Sequence, residues 1–324
     1  MLPRLATRVA ATALVLALGT AGCGTGSSTS GRATATTAPV HPSRAATVTA
    51  RPSSGCRGSG SPEPAGTHQL VVGAETRSYE LAVPPAAGDT TSRPAPLILL
   101  FHGFNGSGAE ISQYTGLPAQ GAEAGDVVAS PDGTAKTWQL DAHGTDAAFV
   151  TALIAHLEAV RCIDTRQVSL TGFSAGAAFT IVYTCQHESQ VAAMATVAVE
   201  FQLGCTRPIP LLAFHGTRDP AVPFADGGKG ASLPGVAVRG TELNMGDWAR
   251  LDRCSAPPTD IVVGTEVTHQ VWPGCTDGTA VELYRIDGGG HTWPGATTDD
   301  GGGLTTRQIE ASSLILAFFA RHPG

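Results

Sequence analysis

The chain has 324 residues, is 42% hydrophobic and only 15% charged, and carries a net charge of −7. The apolar share is ample for a core, so the chain as a whole is not disordered. The acidic balance argues against nucleic acid as a partner, because phosphate contacts need a basic face. The charge is unevenly spread: residues 1–66 hold six Arg, no Lys and one acid, Glu63, leaving 14 basic and 26 acidic residues in 67–324, a net of −12.

Met1–Arg8 carries two arginines and no acid, Val9–Leu18 is apolar, and small residues lead to Gly22-Cys23. This layout predicts an export signal over residues 1–22; the apolar run is too short for a spanning helix. Cys23 after Ala-Gly resembles the processing box of bacterial lipoproteins, in which the new N-terminal cysteine is lipidated. Thr20 stands where leucine is usual, and plain secretion with Cys23 lost or incidental is the other reading. A lipid anchor is thus the expected contact with a membrane. Residues 23–55, rich in Ser, Thr, Ala and Pro, read as a flexible tether, and 56–324 as the catalytic domain.

Within that domain short apolar runs alternate with helical patterns. Strands are expected at His68–Val72 and Ser78–Val83, paired around Gly73-Ala74. The run Pro96–Phe101 is continuous and apolar, as in a strand buried on both faces. Asp126–Ala129 is a further strand. Helical spacing of Phe149, Leu153, Leu157 and Val160 predicts a helix over Asp146–Val160. Then follow strand Gln167–Thr171, helix Ala175–Cys185, strands Val191–Val199 and Ile209–Phe214, helix Gly240–Arg253, strand Val281–Ile286 and helix Thr306–Ala320. The alternation predicts an α/β fold, a mainly parallel central sheet with helices on both faces.

Gly172-Phe173-Ser174-Ala175-Gly176 is the one G-x-S-x-G in the chain and lies between a predicted strand and a predicted helix, the context of a nucleophile elbow. Its glycines relieve side-chain clashes in so tight a turn. A serine hydroxyl needs a base. Among the histidines, His41 lies in the tether, His322 at the chain end, His156 and His187 in or just after helices, His269 on a strand, and His143 ahead of the serine. His291 follows a strand and three glycines, which let its loop approach the nucleophile closely; it is the predicted base. The acid should fall between serine and histidine. Asp219, on the loop beyond Ile209–Phe214, fits better than Asp252, Asp260 or Asp287, and would fix the tautomer of His291. Two backbone donors should hold an oxyanion: the N–H of Ala175, and that of Phe104 in the turn after Phe101-His102-Gly103. His102 itself reads as a structural hydrogen-bonder.

Setting Cys23 aside, Cys56, Cys162, Cys185, Cys205, Cys254 and Cys275 make an even set in an exported chain, which implies disulfides. Six cysteines allow 15 pairings; neighbours in sequence suggest Cys254–Cys275 and Cys185–Cys205, leaving Cys56–Cys162. With no CxxC or HExxH motif, no metal site is expected.

The stretches LILLFHGFNGSG, DVVASPDGT with Trp138, CIDTRQVSLTGFSAGAAF, HGTRDPAVPF and GGGHTWPG, in this order, resemble the polyhydroxybutyrate depolymerase and feruloyl esterase group of α/β-hydrolases, close to carbohydrate esterase family one. The resemblance runs from Cys56 to the C-terminus. It implies Ser174 as nucleophile, Asp219 as acid, His291 as base, and Phe104 and Ala175 as oxyanion donors. It suggests Trp138, Phe173 and Trp293 as substrate-pocket aromatics, with Trp138 equally well explained as core. Phe104 stands where other members often have a small or polar residue, so the acyl pocket is expected to differ. The chain shows no separate domain for binding granules or cellulose. The expectation is an exported serine carboxylesterase, monomeric and without cofactor, acting on feruloyl or acetyl esters of sugars or on hydroxyalkanoate esters. The rival readings are a serine peptidase of the same fold and a non-catalytic surface lipoprotein on a hydrolase scaffold.

Overall fold

Side chains of the apolar run Ala95–Phe101 alternate between two cores: Ile98 and Leu100 point to one, Leu97, Leu99 and Phe101 to the other. A strand with this pattern must be covered on both faces. The structure, a computed structural model, describes residues 49–58, 62–85, 93–141, 143–227, 239–298 and 302–324. The expected export signal, Cys23 and residues 24–48 of the tether lie outside the described residues.

The described residues form one ten-stranded sheet. Its strands are β1 (Gly66–Val72), β2 (Glu75–Ala82), β3 (Ala95–Phe101), β4 (Val127–Pro131), β5 (Ile163–Phe173), β6 (Ala193–Val197), β7 (Leu211–Gly216), β8 (Thr259–Val262), β9 (Val267–Trp272) and β10 (Val281–Ile286). The spatial order is β1-β2-β4-β3-β5-β6-β7-β10-β9-β8. The six central strands, β4 to β10 in that order, run parallel; β1–β2 and β9–β8 add antiparallel edges. The helices are α1 (Gly108–Thr115), α2 (Leu117–Ala124), α3 (Thr145–Val160), α4 (Ala175–Gln186), α5 (Thr241–Leu251) and α6 (Ala311–Arg321). Apolar residues of α1, α2 and α6 fill one core, and those of α3, α4 and α5 the cores on the other face. The α/β fold expected from the alternation is the one found.

Three details differ. Helices α1 and α2 have weak apolar periodicity and short length. Their ends are set instead by Ser107, whose hydroxyl accepts the Glu110 N–H, and by Gly116 and Gly125 in left-handed conformation. The last helix begins at Ala311 rather than Thr306. Gly290 and His291 donate backbone hydrogen bonds to Leu304 and Gly302, and Gly295 to Thr306, so residues 302–306 serve as an extended brace. The ordered body also begins before Cys56. Pro52 bridges Asp164, the Ser53 N–H bonds the Ile163 carbonyl, and Ser53 is buried, so this stretch packs against the start of β5.

Three disulfides, Cys56–Cys162, Cys185–Cys205 and Cys254–Cys275, lie among the described residues. The first fastens the entering chain to the start of β5. The second ties the end of α4 to the segment beyond β6, and the third joins the end of α5 to the turn after β9.

Asp252, just past α5, is fully buried, and burial pushes its carboxyl up to about 7, outweighing the hydrogen bonds from Thr279 and the Ile209 N–H. A raised carboxyl favours the protonated form in the fold. Its stabilising contribution is therefore present at acid pH and is lost as pH rises toward and through about 7. Thermal melts should show stability falling from pH 5 to pH 8, and Asp252→Asn, neutral at both, should flatten part of that fall.

Candidate active site

Parallel strands place the loops that follow β3, β5, β7 and β10 at one edge of the sheet, the edge where open α/β folds bind ligands. Ser174 stands on the turn from β5 to α4 with φ 55° and ψ −117°, a region that side chains rarely adopt. The strain is held by packing. Its N–H bonds the Val197 carbonyl at the end of β6 (3.0 Å), and its carbonyl starts α4 by accepting from Ala178 (3.0 Å). The flanking glycines are sterically required. A Cβ on Gly172 would sit 2.4 Å from the Gly176 carbonyl carbon, and one on Gly176 would sit 2.2 Å from the Phe101 oxygen.

Beside this turn lies the loop after β3. A Cβ built on Gly103 would stand 3.6 Å from the Ser174 Cβ, so this backbone borders the serine directly. His102 is buried and shapes the loop. Its Nε2 accepts the Gly133 N–H (2.9 Å), which leaves Nδ1–H to donate to the Gly103 carbonyl (2.7 Å). Burial lowers its pKa, in keeping with a neutral ring. The N–H groups of Phe104 and Ala175 donate to no other backbone group among the described residues.

Asp219 and His291 meet across two loops. Asp219 Oδ2 is 2.7 Å from His291 Nδ1, and Oδ1 accepts the N–H groups of Ala221 and Val222, both at 2.8 Å. The Asp219 side chain is buried, whereas His291 keeps 13% of its surface. The His291 ring lies 4.8 Å from that of Phe173, the residue before the serine. The glycines before His291 do something other than expected. They bring its loop against the β7 loop and against residues 302–303, not against the nucleophile. A Cβ on Gly216 would be 2.3 Å from the Gly289 oxygen, and one on Gly290 would be 2.2 Å from the Gly302 oxygen.

A cleft of about 290 Å³ is lined by Phe104, Glu110, Ile111, Tyr114 and Phe173 together with Gly103, whose backbone borders the serine. Phe104 is 69% exposed. A larger hollow of about 550 Å³ lies at the opposite edge, around Thr165, Ala192, Pro210 and Thr279 at the starts of β5, β6, β7 and β10, far from this chemistry. Phe173 is thus in the cleft, but Trp138 and Trp293 are not. Trp138 is buried against Phe179 with its indole N–H on the His102 carbonyl; Trp293 is buried with its N–H on Ser312 Oγ. Each indole has an internal partner for its polar atom, which is what lets it sit in the core. Ile111 and Tyr114 were not singled out from the sequence, because the short helix that carries them had no clear signature there. Glu200 and His215, buried behind Asp219, were also missed. Their signal is a lone charged or polar residue ending a long apolar run, VAAMATVAVE and IPLLAFH. Among the described residues, no group of three or more His, Cys, Asp and Glu could hold a metal ion.

No family model matches the chain. It is 28% identical over 280 residues to a Nocardia uniformis subsp. tsuyamanensis protein named as an esterase, NocK, covering 77% of this chain and 81% of that one. It is 27% identical over 222 residues to feruloyl esterase B of Piromyces equi, covering 63% of this chain but 41% of the longer fungal enzyme. Among solved structures, the acetyl xylan esterase of Aspergillus awamori superposes with a TM-score of 0.52 at 14% identity, over 79% of this chain and 99% of that one. The chain has the α/β-hydrolase fold. In this fold the β7 and β10 loops are in direct backbone contact, and Gly216→Ala must push them apart. An ångström of misplacement costs about a hundredfold in rate; Gly216→Ala should lose about that much in kcat/KM on an aryl ester while circular dichroism stays native.

Proposed function

We propose that this chain is an exported serine carboxylesterase acting on feruloyl- and acetyl-type esters, with Ser174 as nucleophile, His291 as base and Asp219 as acid. The observation that carries it is the 2.7 Å Asp219–His291 pair at the same sheet edge as the strained Ser174 turn. With Nδ1–H bonded to Asp219, the His291 Nε2 is the nitrogen left to take the Ser174 proton. Ser174 Oγ attacks the ester carbonyl carbon, and the negative charge moves to its oxygen, where the N–H groups of Phe104 and Ala175 receive it. Collapse breaks the C–O bond to the alcohol, which leaves with the proton from His291. Water then repeats the sequence on the acyl-enzyme and releases the acid.

The apolar, aromatic walls of the cleft support an acyl group with a flat ring, and the names of the relatives, feruloyl and acetyl xylan esterases, point the same way. Export is supported by the leader pattern at 1–22 and by three disulfides, which persist in oxidising compartments. Cys23 at the end of the leader pattern supports a lipid anchor.

Ser174→Ala should abolish hydrolysis of methyl ferulate and p-nitrophenyl acetate and remove labelling by a fluorophosphonate; retained turnover overturns the assignment. Asp219→Asn, which keeps shape but upsets the tautomer of His291, should lower kcat by about 10⁴-fold. Phe104→Ala keeps the backbone donor and removes the aromatic wall. It should raise KM for methyl ferulate severalfold and leave KM for an acetyl ester nearly unchanged, as steady-state kinetics will show.

A further inference from the structure

Behind Asp219 lies a second histidine that the reaction described above does not use. His215 closes β7, and its side chain is wholly buried. Its Nδ1 is 2.7 Å from Glu200 Oε2 and 3.0 Å from Thr241 Oγ1. Its Nε2 is 2.9 Å from the Val222 carbonyl and 3.5 Å from Asp219 Oδ2. Glu200 is buried too, with Oε1 3.4 Å from Asn244 Nδ2 and its backbone carbonyl accepting the Trp248 indole N–H at 2.7 Å.

The donor inventory favours the charged ring. A neutral imidazole has one donor and one acceptor nitrogen. Here one nitrogen faces a carboxylate and the other faces a carbonyl and a second carboxylate. A neutral ring donating from Nε2 to Val222 could accept the Thr241 hydroxyl at Nδ1, but that lone pair would still face Glu200 Oε2 at 2.7 Å, whereas the imidazolium donates on both sides. Two carboxylates buried without a countercharge are strongly disfavoured.

We propose that His215, held by Glu200, is a positioning residue for the esterase reaction: a buried imidazolium between Glu200 and Asp219 that offsets the Asp219 charge and keeps the carboxylate aimed at His291. Through Val222, which supplies both an acceptor to His215 and a donor to Asp219, the ring also clamps the 219–222 turn. Burial alone pulls the pKa of His215 down, but the charge and hydrogen bond of Glu200 reverse this and raise it. Among the described residues the titratable groups facing the ring are Glu200 and Asp219, with His291 beyond Asp219; α5 presents the neutral Thr241 and Asn244. The proposal rests on the assignment of Asp219 and His291 given above.

The test is the pH profile of kcat/KM, whose acid limb reports the base of the free enzyme. Removing the cation next to Asp219 makes the surroundings of His291 more negative. In His215→Gln the acid limb should therefore move to higher pH by about one unit, the effect of one nearby charge, with about a tenfold loss of rate below the limb. Glu200→Gln, which keeps the shape of the side chain and removes the anion that holds the ring charged, should shift the limb in the same direction, and it answers the question if His215→Gln does not fold. A limb that stays in place in either folded variant, or moves to lower pH, overturns the proposal. Ser174→Ala serves as the control: activity surviving there defeats the esterase assignment itself, whereas an inactive Ser174→Ala with an unshifted His215→Gln profile defeats only the role of His215.

Discussion

The structure depends on one close approach of backbone to backbone, between the loops that follow β7 and β10. Gly216 and Gly289 meet without side chains, and the contact is closed by hydrogen bonds from Thr217 N–H to the Ile286 carbonyl (2.8 Å), from Arg218 N–H to Gly289 (2.9 Å), and from Gly288 N–H to Thr217 Oγ1 (2.8 Å). It extends the parallel register in which Ile286 faces Gly216 by a few residues past the ends of the strands. Asp219 and His291 follow within five residues on either side, so their 2.7 Å separation is inherited from the sheet and not left to loop motion. Proximity effects in catalysis are steep in distance, and here the distance is set by main-chain atoms.

The strain at Ser174 is set against the same sheet. A residue in so sparsely populated a conformation costs about 1–3 kcal/mol, and it persists because β5 is buried from Val168 to Phe173 and because Val197 on the neighbouring strand holds the Ser174 N–H. The disulfides reinforce this arrangement at one remove. Cys185–Cys205 closes the segment that carries Glu200, and Cys254–Cys275 anchors the far end of α5, whose first turn carries Thr241 and Asn244. Both crosslinks thus pin the elements that surround His215.

Much of this could be read from the chain. A continuous apolar run marked β3 because strands buried on both faces show no alternation, and the G-x-S-x-G, HGTRD and GGGH segments each stood at the end of an expected strand. What escaped reading was non-local or weakly patterned. Strand β8 is exposed along its whole length and offers only the three-residue apolar stretch Ile261-Val262-Val263, and α1 and α2 are two turns each. The indoles of Trp138 and Trp293 suggested a cleft because Trp is amphipathic, yet their partners, the His102 carbonyl and Ser312 Oγ, are 36 and 19 residues away. The glycines before His291 were expected to bring its loop to the nucleophile, but which backbone they approach is a property of the strand order. Glu200 and His215 show the same limit: each is visible as a polar residue ending an apolar run, but only the adjacency of β6 and β7 pairs them.

That pairing also bears on how a hydrolase of this kind can bury its acid. A solvent-exposed Asp219 would be cheap to ionise but would leave the histidine's orientation to a mobile side chain. A buried Asp219 is well oriented but loses its hydration, and two backbone N–H groups and one histidine replace it incompletely. An imidazolium behind the carboxylate supplies the missing favourable field, and it must itself be held charged, which is the work of Glu200. An apolar filling of the same space would stabilise the fold as well or better, but it would leave the Asp219 carboxylate without a countercharge behind it. The buried chain of alternating charge is therefore explained by the acid it supports and not by the stability of the fold.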